Sequence, residues 1–381
     1  MYKVGFLGYK FMGKAHGNAL DRLPMFFPEA PQTERHVLIG RDEDALADAA
    51  DRFGFETTST DWEAALEDID ILYNLGPNYL HVEPTIEALE RGVNVFTEKP
   101  MAPSLEGAEQ MAQAASESDA MAGIAFNFRY VPALQYAKRL IERGDLGEIH
   151  HVRAQYLQDW LVDPEAPWSW RNDEEMAGSG ALGDLGAHSI DLVQFLVGDV
   201  TRVSGRLKTF VEERPLEGQD ARGDSVGSAD ADDQQTRPVT VDDAYTANIE
   251  LENGAIGTLE ASRFANGRKN DHTVEIEGSK GSLRYDHERL NELEVNLEGN
   301  RGYETVLVTD ADDPYIERWW PPGHIIGWEH TFVHENYEYL TALEEGEQFQ
   351  PDFQAGLSVQ RVLNAIERSD ERGEWIDIDQ P

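Results

Sequence analysis

Cysteine is absent from this 381-residue chain, which excludes a disulfide framework and any thiolate-held metal. Lysine is scarce: Lys3, Lys10, Lys14, Lys99, Lys138, Lys208, Lys269 and Lys280 are the whole complement. With 32 basic residues against 73 acidic ones the formal net charge is −41. No basic stripe is available to neutralise phosphates, so nucleic acid is not an expected partner. No apolar run approaches the roughly 20 residues that span a bilayer, and a strand begins almost at once, without the pattern of a secretory signal. A soluble, cytoplasmic protein with no membrane partner is expected.

Acidity of this size accompanies disorder in many chains. Here 40% of residues are hydrophobic and fall in periodic segments, so folded domains are expected. An acidic, lysine-poor, cysteine-free surface suits solvation at high salt, where screening relieves self-repulsion. A halophile-like source is therefore expected.

Residues 1 to about 125 alternate short apolar runs with helical patterns: YKVGFLG, HVLIG, DIDILYNLG, NVFTEKP and MAGIAFN read as strands separated by helices. Such alternation predicts a doubly wound parallel α/β sheet of Rossmann type, with ligands beyond the carboxyl ends of the strands. From about 130 the rhythm changes. Strand-like stretches follow one another with hairpin turns at ENGA and GSKGS, the pattern of an α+β domain with a large, mostly antiparallel sheet. The expected division is 1–128 for dinucleotide binding, 129–352 for substrate and oligomerisation, and 353–381 as a helix and strand packing back on the body. Residues 213–240 read as a solvated loop.

Four stretches carry chemistry. In GFLGYKFMGKAH, Gly8 permits a tight turn and Gly13 a close helix–strand approach, but Lys10 stands where a dinucleotide loop usually has its second glycine. The second strand ends at Gly40-Arg41 rather than in an acid. Arg41 can pair with a 2′-phosphate, which favours NADP, while Asp42 leaves NAD open. Glu98-Lys99-Pro100 ends a strand at the ligand edge and reads either as a cation for acid–base work or as a surface ion pair. In GALGDLGAHSIDLVQFLVG, Asp184 and His188 are four residues apart and Asp191 lies three further on, so all three are expected to share one helical face. Asp184 can then orient the His188 ring for proton transfer, or the two can form a structural hydrogen bond. No third ligand accompanies them, so no metal is expected. Aromatic and cationic residues also cluster in YLQDWLVDPEAPWSWRND and RWWPPGHIIGWEH, where Trp170, Arg171 and His324 could line a polyol or sugar pocket, while most of the tryptophans are expected to pack in a core or an interface.

In order along the chain, these stretches resemble the glucose–fructose oxidoreductase/inositol dehydrogenase family. GPNYLHVEPTIEALERGVNVFTEKPMA is similar to its nucleotide-domain signature, AFNFRYVPALQYAKRLIERGDLGEI to its domain junction and SVQRVLNAIERS to its returning helix. The resemblance implies an NAD(P)-dependent enzyme that moves a hydride between nicotinamide and a hydroxyl or carbonyl carbon of a sugar or cyclic polyol. It implies Lys99, His188 and Asp184 as catalytic residues. Gly8, Lys10, Phe11, Met12, Gly13, Arg41, Leu75, Pro77, Asn78, His81, Glu98 and Lys99 are expected around the cofactor. Asn127, Arg129, Tyr156, Trp170, Arg171, Asp184, His188 and His324 are expected around the substrate. It also implies a homodimer or homotetramer built through the second-domain sheet. Two other outcomes known in the family are a glycosidase with transient cofactor oxidation and a non-catalytic dinucleotide-binding regulator.

Overall fold

The computed structural model describes residues 1–216 and 236–378. The first half runs β1 (Tyr2–Leu7), α1 (Phe11–Phe26), β2 (Thr33–Ile39), α2 (Glu43–Phe53), β3 (Thr57–Ser59), α3 (Trp62–Ala65), β4 (Ile71–Asn74), α4 (Val82–Glu90), β5 (Asn94–Glu98), α5 (Leu105–Glu117) and β6 (Ala122–Ala125). Six parallel strands in the order β3-β2-β1-β4-β5-β6 form the expected Rossmann sheet. Local chemistry sets its punctuation. The Asp42 carboxylate caps α2 by accepting from the Ala45 amide at 3.0 Å, and Gly54 ends that helix in the left-handed region at φ 71°. Ser104 caps α5 in the same way.

The second half adds α6 (Pro132–Glu142), β7 (Ile149–Leu157), α7 (Glu174–Ala177), α8 (Ala187–Leu196), β8 (Val200–Lys208), β9 (Glu213–Pro215), β10 (Thr236–Pro238), β11 (Ala244–Leu251), β12 (Ile256–Ser262), β13 (Asp271–Gly278), β14 (Ser282–Asp286), β15 (Glu292–Asn296), β16 (Glu304–Leu307), α9 (Trp328–Glu345), α10 (Phe353–Arg372) and β17 (Ile376–Asp377). Nine strands form one sheet in the order β16-β15-β14-β13-β7-β12-β11-β8-β17, antiparallel except where β7 meets β12. Helices α6, α8 and α10 cover one face. The other carries a charged ladder in which Arg153 and Arg284 pair with Glu275, Glu277 and Glu294.

Two expectations need correction. The 213–240 stretch is not loop throughout, because β9 and β10 pair antiparallel at its ends; its middle, 217–235, lies outside the described residues. The sequence reading also named no element between 300 and 352, yet α9 occupies 18 of those residues and packs against α1. Helix α10 bridges the halves by touching α5 and β6 as well as β8. No helix among the described residues is long and apolar enough to cross a membrane.

Candidate active site

A cleft of about 1510 Å³ runs from the carboxyl edge of the Rossmann sheet to the ends of β7, β12 and β13 in the second domain. At its outer end the β1–α1 turn supplies Gly8, Tyr9, Lys10, Phe11 and Met12 to the lining. Gly8 takes φ 113°, and a side chain there would press on the Leu75 carbonyl 2.7 Å away. A side chain at Gly13 would meet the Gly8 carbonyl oxygen at 2.5 Å, so this glycine sets how closely α1 approaches the turn. Lys10 has φ −84° and ψ −133°, a conformation between the helical and extended regions that does not need the positive φ reserved for glycine. The turn therefore does not require a glycine at its middle position, and the lysine is exposed at the cleft.

The end of β2 explains its missing acid. Tyr9 packs over Gly40, and a side chain at that glycine would collide with its ring. Arg41 and Asp42 line the cleft just beyond. Leu75, Pro77 and Asn78 form the next stretch of wall, with the Asn78 amide donating to the Ala177 carbonyl at 2.8 Å. This cradle, two glycines at close backbone approaches opening onto a helix N-terminus and a long cleft, fits a dinucleotide with room for a second small molecule.

Glu98, Lys99, Asp184 and His188 meet at the inner end. Lys99 Nζ donates to the backbone carbonyl of Asp184 at 2.7 Å and to its carboxylate at 3.4 Å. The other carboxylate oxygen lies 3.9 Å from the guanidinium of Arg263, which is 1% exposed. His188 is packed 4.5 Å from the Phe128 ring. Burial pulls its pKa well below the usual imidazole range; Lys99 and His272 push the same way, Asp184 opposes and His287 adds a small downward push. The ring is therefore neutral at ordinary pH.

The regular-helix expectation fails here. Residues Leu182–Gly186 form a π-turn leading into α8, where about 4.4 rather than 3.6 residues complete a turn. The four-residue offset no longer stacks Asp184 on His188, and among the described residues no hydrogen bond joins them. Asp184 serves Lys99 and Arg263 instead, and His188 Nδ1 is buried without a hydrogen-bond partner. Asp191 turns wholly inward. Its carboxylate accepts from Arg129 Nε at 3.0 and 2.9 Å and from Nη2 at 2.6 Å.

Arg129 is thus held in the core and does not line the cleft, contrary to expectation. His81 is also kept out. It is fully buried, with its ring nitrogens facing the carbonyls of Pro100 at 2.9 Å and Gly76 at 3.1 Å, where it braces the loop behind the cofactor wall. His324 lies exposed on a loop against the Pro321 carbonyl, away from the cleft. Trp319 of the same loop is buried against Phe26 and Phe27, as core rather than pocket.

The inner wall does include Asn127, Tyr156, Trp170 and Arg171, whose guanidinium lies 4.5 Å over the Trp170 ring. Residues without an assigned role in the sequence reading complete it: Gln158, Trp160, Arg263, Lys269, Asn270, Trp328 and Phe332. Tyr156 Oη and Gln158 Nε2 both donate to Asn270 Oδ1 at 2.7 Å, and Lys269 pairs with Asp159 at 2.7 Å. Gln158, Trp160, Arg263, Lys269 and Asn270 sit just beyond the ends of β7, β12 and β13, and Trp328 and Phe332 on α9, so no strand periodicity marked them. Among the described residues, Glu34, His36 and Glu56 form a group of metal-type donors, but none of them lines the cleft.

Residues 2–126 match an oxidoreductase family with an NAD-binding Rossmann fold, and residues 134–284 match the GFO/IDH/MocA C-terminal domain. The levoglucosan dehydrogenase of Pseudarthrobacter phenanthrenivorans is 40% identical over 385 residues, covering 99% of this chain and 98% of the relative. An oxidoreductase domain protein from Kribbella flavida has a crystal structure with TM-score 0.92 and 44% identity, covering 99% of each chain. Levoglucosan dehydrogenase in complex with NADH and levoglucosan superposes with TM-score 0.92 at 38% identity, again covering 99% of each chain.

Proposed function

The chain belongs to the GFO/IDH/MocA oxidoreductase family, and from that premise we propose that it is a nicotinamide-dependent dehydrogenase oxidising a ring hydroxyl of a pyranose or its 1,6-anhydro form. The observation that carries this reading is the meeting of Lys99, Asp184 and neutral His188 at the inner end of a dinucleotide-sized cleft. The 40% identity to levoglucosan dehydrogenase supports the anhydrosugar class.

When bound, the cofactor supplies the ring that accepts the hydride. Lys99 provides the hydrogen bond and positive charge that the reacting oxygen needs as it gains anionic character. Asp184 holds Nζ at that place through its carbonyl and carboxylate. His188, kept uncharged by burial, offers a neutral hydrogen-bonding edge to the sugar and exchanges the proton there. Trp160, Trp170, Tyr156 and the fixed Asn270 present flat apolar faces and amide groups, the complement of a neutral ring with several hydroxyls.

The cofactor site takes NADP through Arg41, because Gly40 offers no carboxylate to repel a 2′-phosphate and Asp42 is engaged in capping α2; NAD, which carries no 2′-phosphate, binds without that pairing. Lys10 adds charge beside the phosphates. Copies of the chain associate through the open face of the nine-stranded sheet, and the −41 charge suits activity at high salt. The test is a panel of anhydrosugars, aldoses and inositols with NAD and NADP, followed at the nicotinamide band in dilute and in multimolar salt. Net reduction with an anhydro- or free pyranose is the expected result. Aglycone release without net reduction would establish the glycosidase alternative, and cofactor binding without turnover of any sugar the regulator.

A further inference from the structure

A buried polar chain connects α9 to the turn that carries Lys99. Asn336 and His16 are fully buried and Glu98 is 4% exposed. Asn336 Nδ2 donates to the Phe332 carbonyl at 2.7 Å and to His16 Nδ1 at 3.1 Å. Both amide hydrogens are used, so His16 Nδ1 is the acceptor and the ring proton sits on Nε2. From there it is donated to Glu98 Oε1 at 3.0 Å. The second oxygen of Glu98 accepts the backbone N–H of Lys99 at 3.1 Å. Tyr73, Phe96 and Phe332 surround the His16 ring at centroid distances of 5.3 to 5.8 Å.

We propose that His16, locked in its Nε2–H tautomer by Asn336, is a positioning residue for Lys99. The chain fixes the Glu98 carboxylate, which fixes the main chain from which the lysine side chain departs, while Asp184 fixes the other end at Nζ. His16 itself does not line the cleft, so it acts only through Glu98. A polar chain in this place is costly to bury, and packed apolar residues would serve stability alone as well. What the polar version adds is direction, because hydrogen bonds define an angle and an apolar contact does not. The chain also joins α1, the end of β5 and α9, three elements distant in sequence, so that α9 packing is felt at the lysine. The inference rests on the reading of Lys99 as the group at the reacting oxygen.

The test uses His16→Phe, His16→Gln and Asn336→Leu in the full-length protein, with folding checked by circular dichroism and cofactor affinity by fluorescence. Since misplacement of a reacting group by about 1 Å costs on the order of 10²-fold, His16→Phe should lower kcat roughly 30- to 100-fold. Sugar KM and cofactor Kd should each move less than about threefold, the split expected when the transition state alone is affected. His16→Gln retains a donor toward Glu98 and should recover most of the loss; Asn336→Leu should fall between. Nitrogen-15 NMR of histidine-labelled protein should show the His16 proton on Nε2. A folded His16→Phe enzyme with unchanged kcat overturns the proposal. So does a loss confined to KM, a loss that Gln does not relieve, or a proton found on Nδ1. If His16→Phe fails to fold, His16→Gln, Asn336→Leu and the tautomer assignment still decide. Should Lys99→Met retain turnover, the reading of the lysine fails instead, and the tautomer measurement stands apart from both.

Discussion

Two ion pairs only seven residues apart along one segment behave as opposites. Arg129–Asp191 is closed: bidentate, as short as 2.6 Å, with Asp191 side chain 1% exposed. Lys99–Asp184 is open: 3.4 Å long, with both side chains 14–15% exposed at the cleft. In the first, geometry is complete and nothing is left to offer a ligand. In the second, one long contact and one backbone carbonyl hold an ammonium group that still faces the site. The π-turn at Leu182–Gly186 separates them, turning one aspartate to the cleft and the other to the core. A π-turn of this kind trades helical regularity for side-chain aim.

The largest effect should come from breaking the open pair. Lys99→Met is expected to lower kcat by roughly 10³-fold or more while the cofactor still binds, measured by steady-state turnover beside fluorescence titration. Breaking the closed pair should act on stability instead. Asp191→Asn leaves the Arg129 charge buried and uncompensated, with an expected loss of about 3–5 kcal/mol in denaturant unfolding. Removing the ring between the two pairs, in His188→Asn, should reduce kcat about 10²-fold; an effect on KM alone would make His188 a substrate ligand only.

A pH test sharpens the same contrast between groups shaped for chemistry and groups confined by packing. Glu335 is fully buried, and burial, with a smaller push from Glu98, raises its carboxyl well above the usual 4.5. Folding then requires a proton that the unfolded chain has released, so this residue destabilises increasingly as pH rises above about 4.5 toward its folded-state value. Glu335→Gln removes that dependence. The variant should be the more stable protein at pH 8, by ~1.4 kcal/mol for each unit of displacement, and should match the parent near pH 4. Smallest of all, Arg41→Ala should shift preference from NADP toward NAD about fivefold, near 1 kcal/mol, read from the ratio of kcat/KM values.

Much of the architecture was legible because it depends on period. Strand–helix alternation from Tyr2 to Ala125 announced the parallel sheet, and Gly8 and Gly13 announced its ligand turn. What stayed hidden depended on tertiary context. Helix α9 follows a Pro- and Gly-rich loop and buries aromatic, amide and acidic residues alike, among them Phe332, His334, Glu335 and Asn336, so its pattern offers no clean apolar stripe. The offset between Asp184 and His188 read as one helical turn only because 3.6 residues per turn was assumed. Lys99, His188 and Asp184 line one cleft, but the contact partner of each was not legible. Asn270, Arg263 and Gln158 gave no signal, since they sit just beyond the ends of β13, β12 and β7, where the strand periodicity stops. Arg129, His81 and His324 show the converse, since polar residue type alone does not distinguish a ligand from a brace or a surface group.

The division of labour between the two pairs is tested most directly by measuring turnover and unfolding free energy together on Lys99→Met and Arg129→Met. The first should lose its sugar-dependent nicotinamide reduction and keep its unfolding midpoint. The second should lose about 3–5 kcal/mol of stability and, while folded, retain turnover within a few-fold. If both variants lose activity and stability in parallel, or if Lys99→Met still turns over, the open pair has no separate chemical role and the assignment of the active site is wrong.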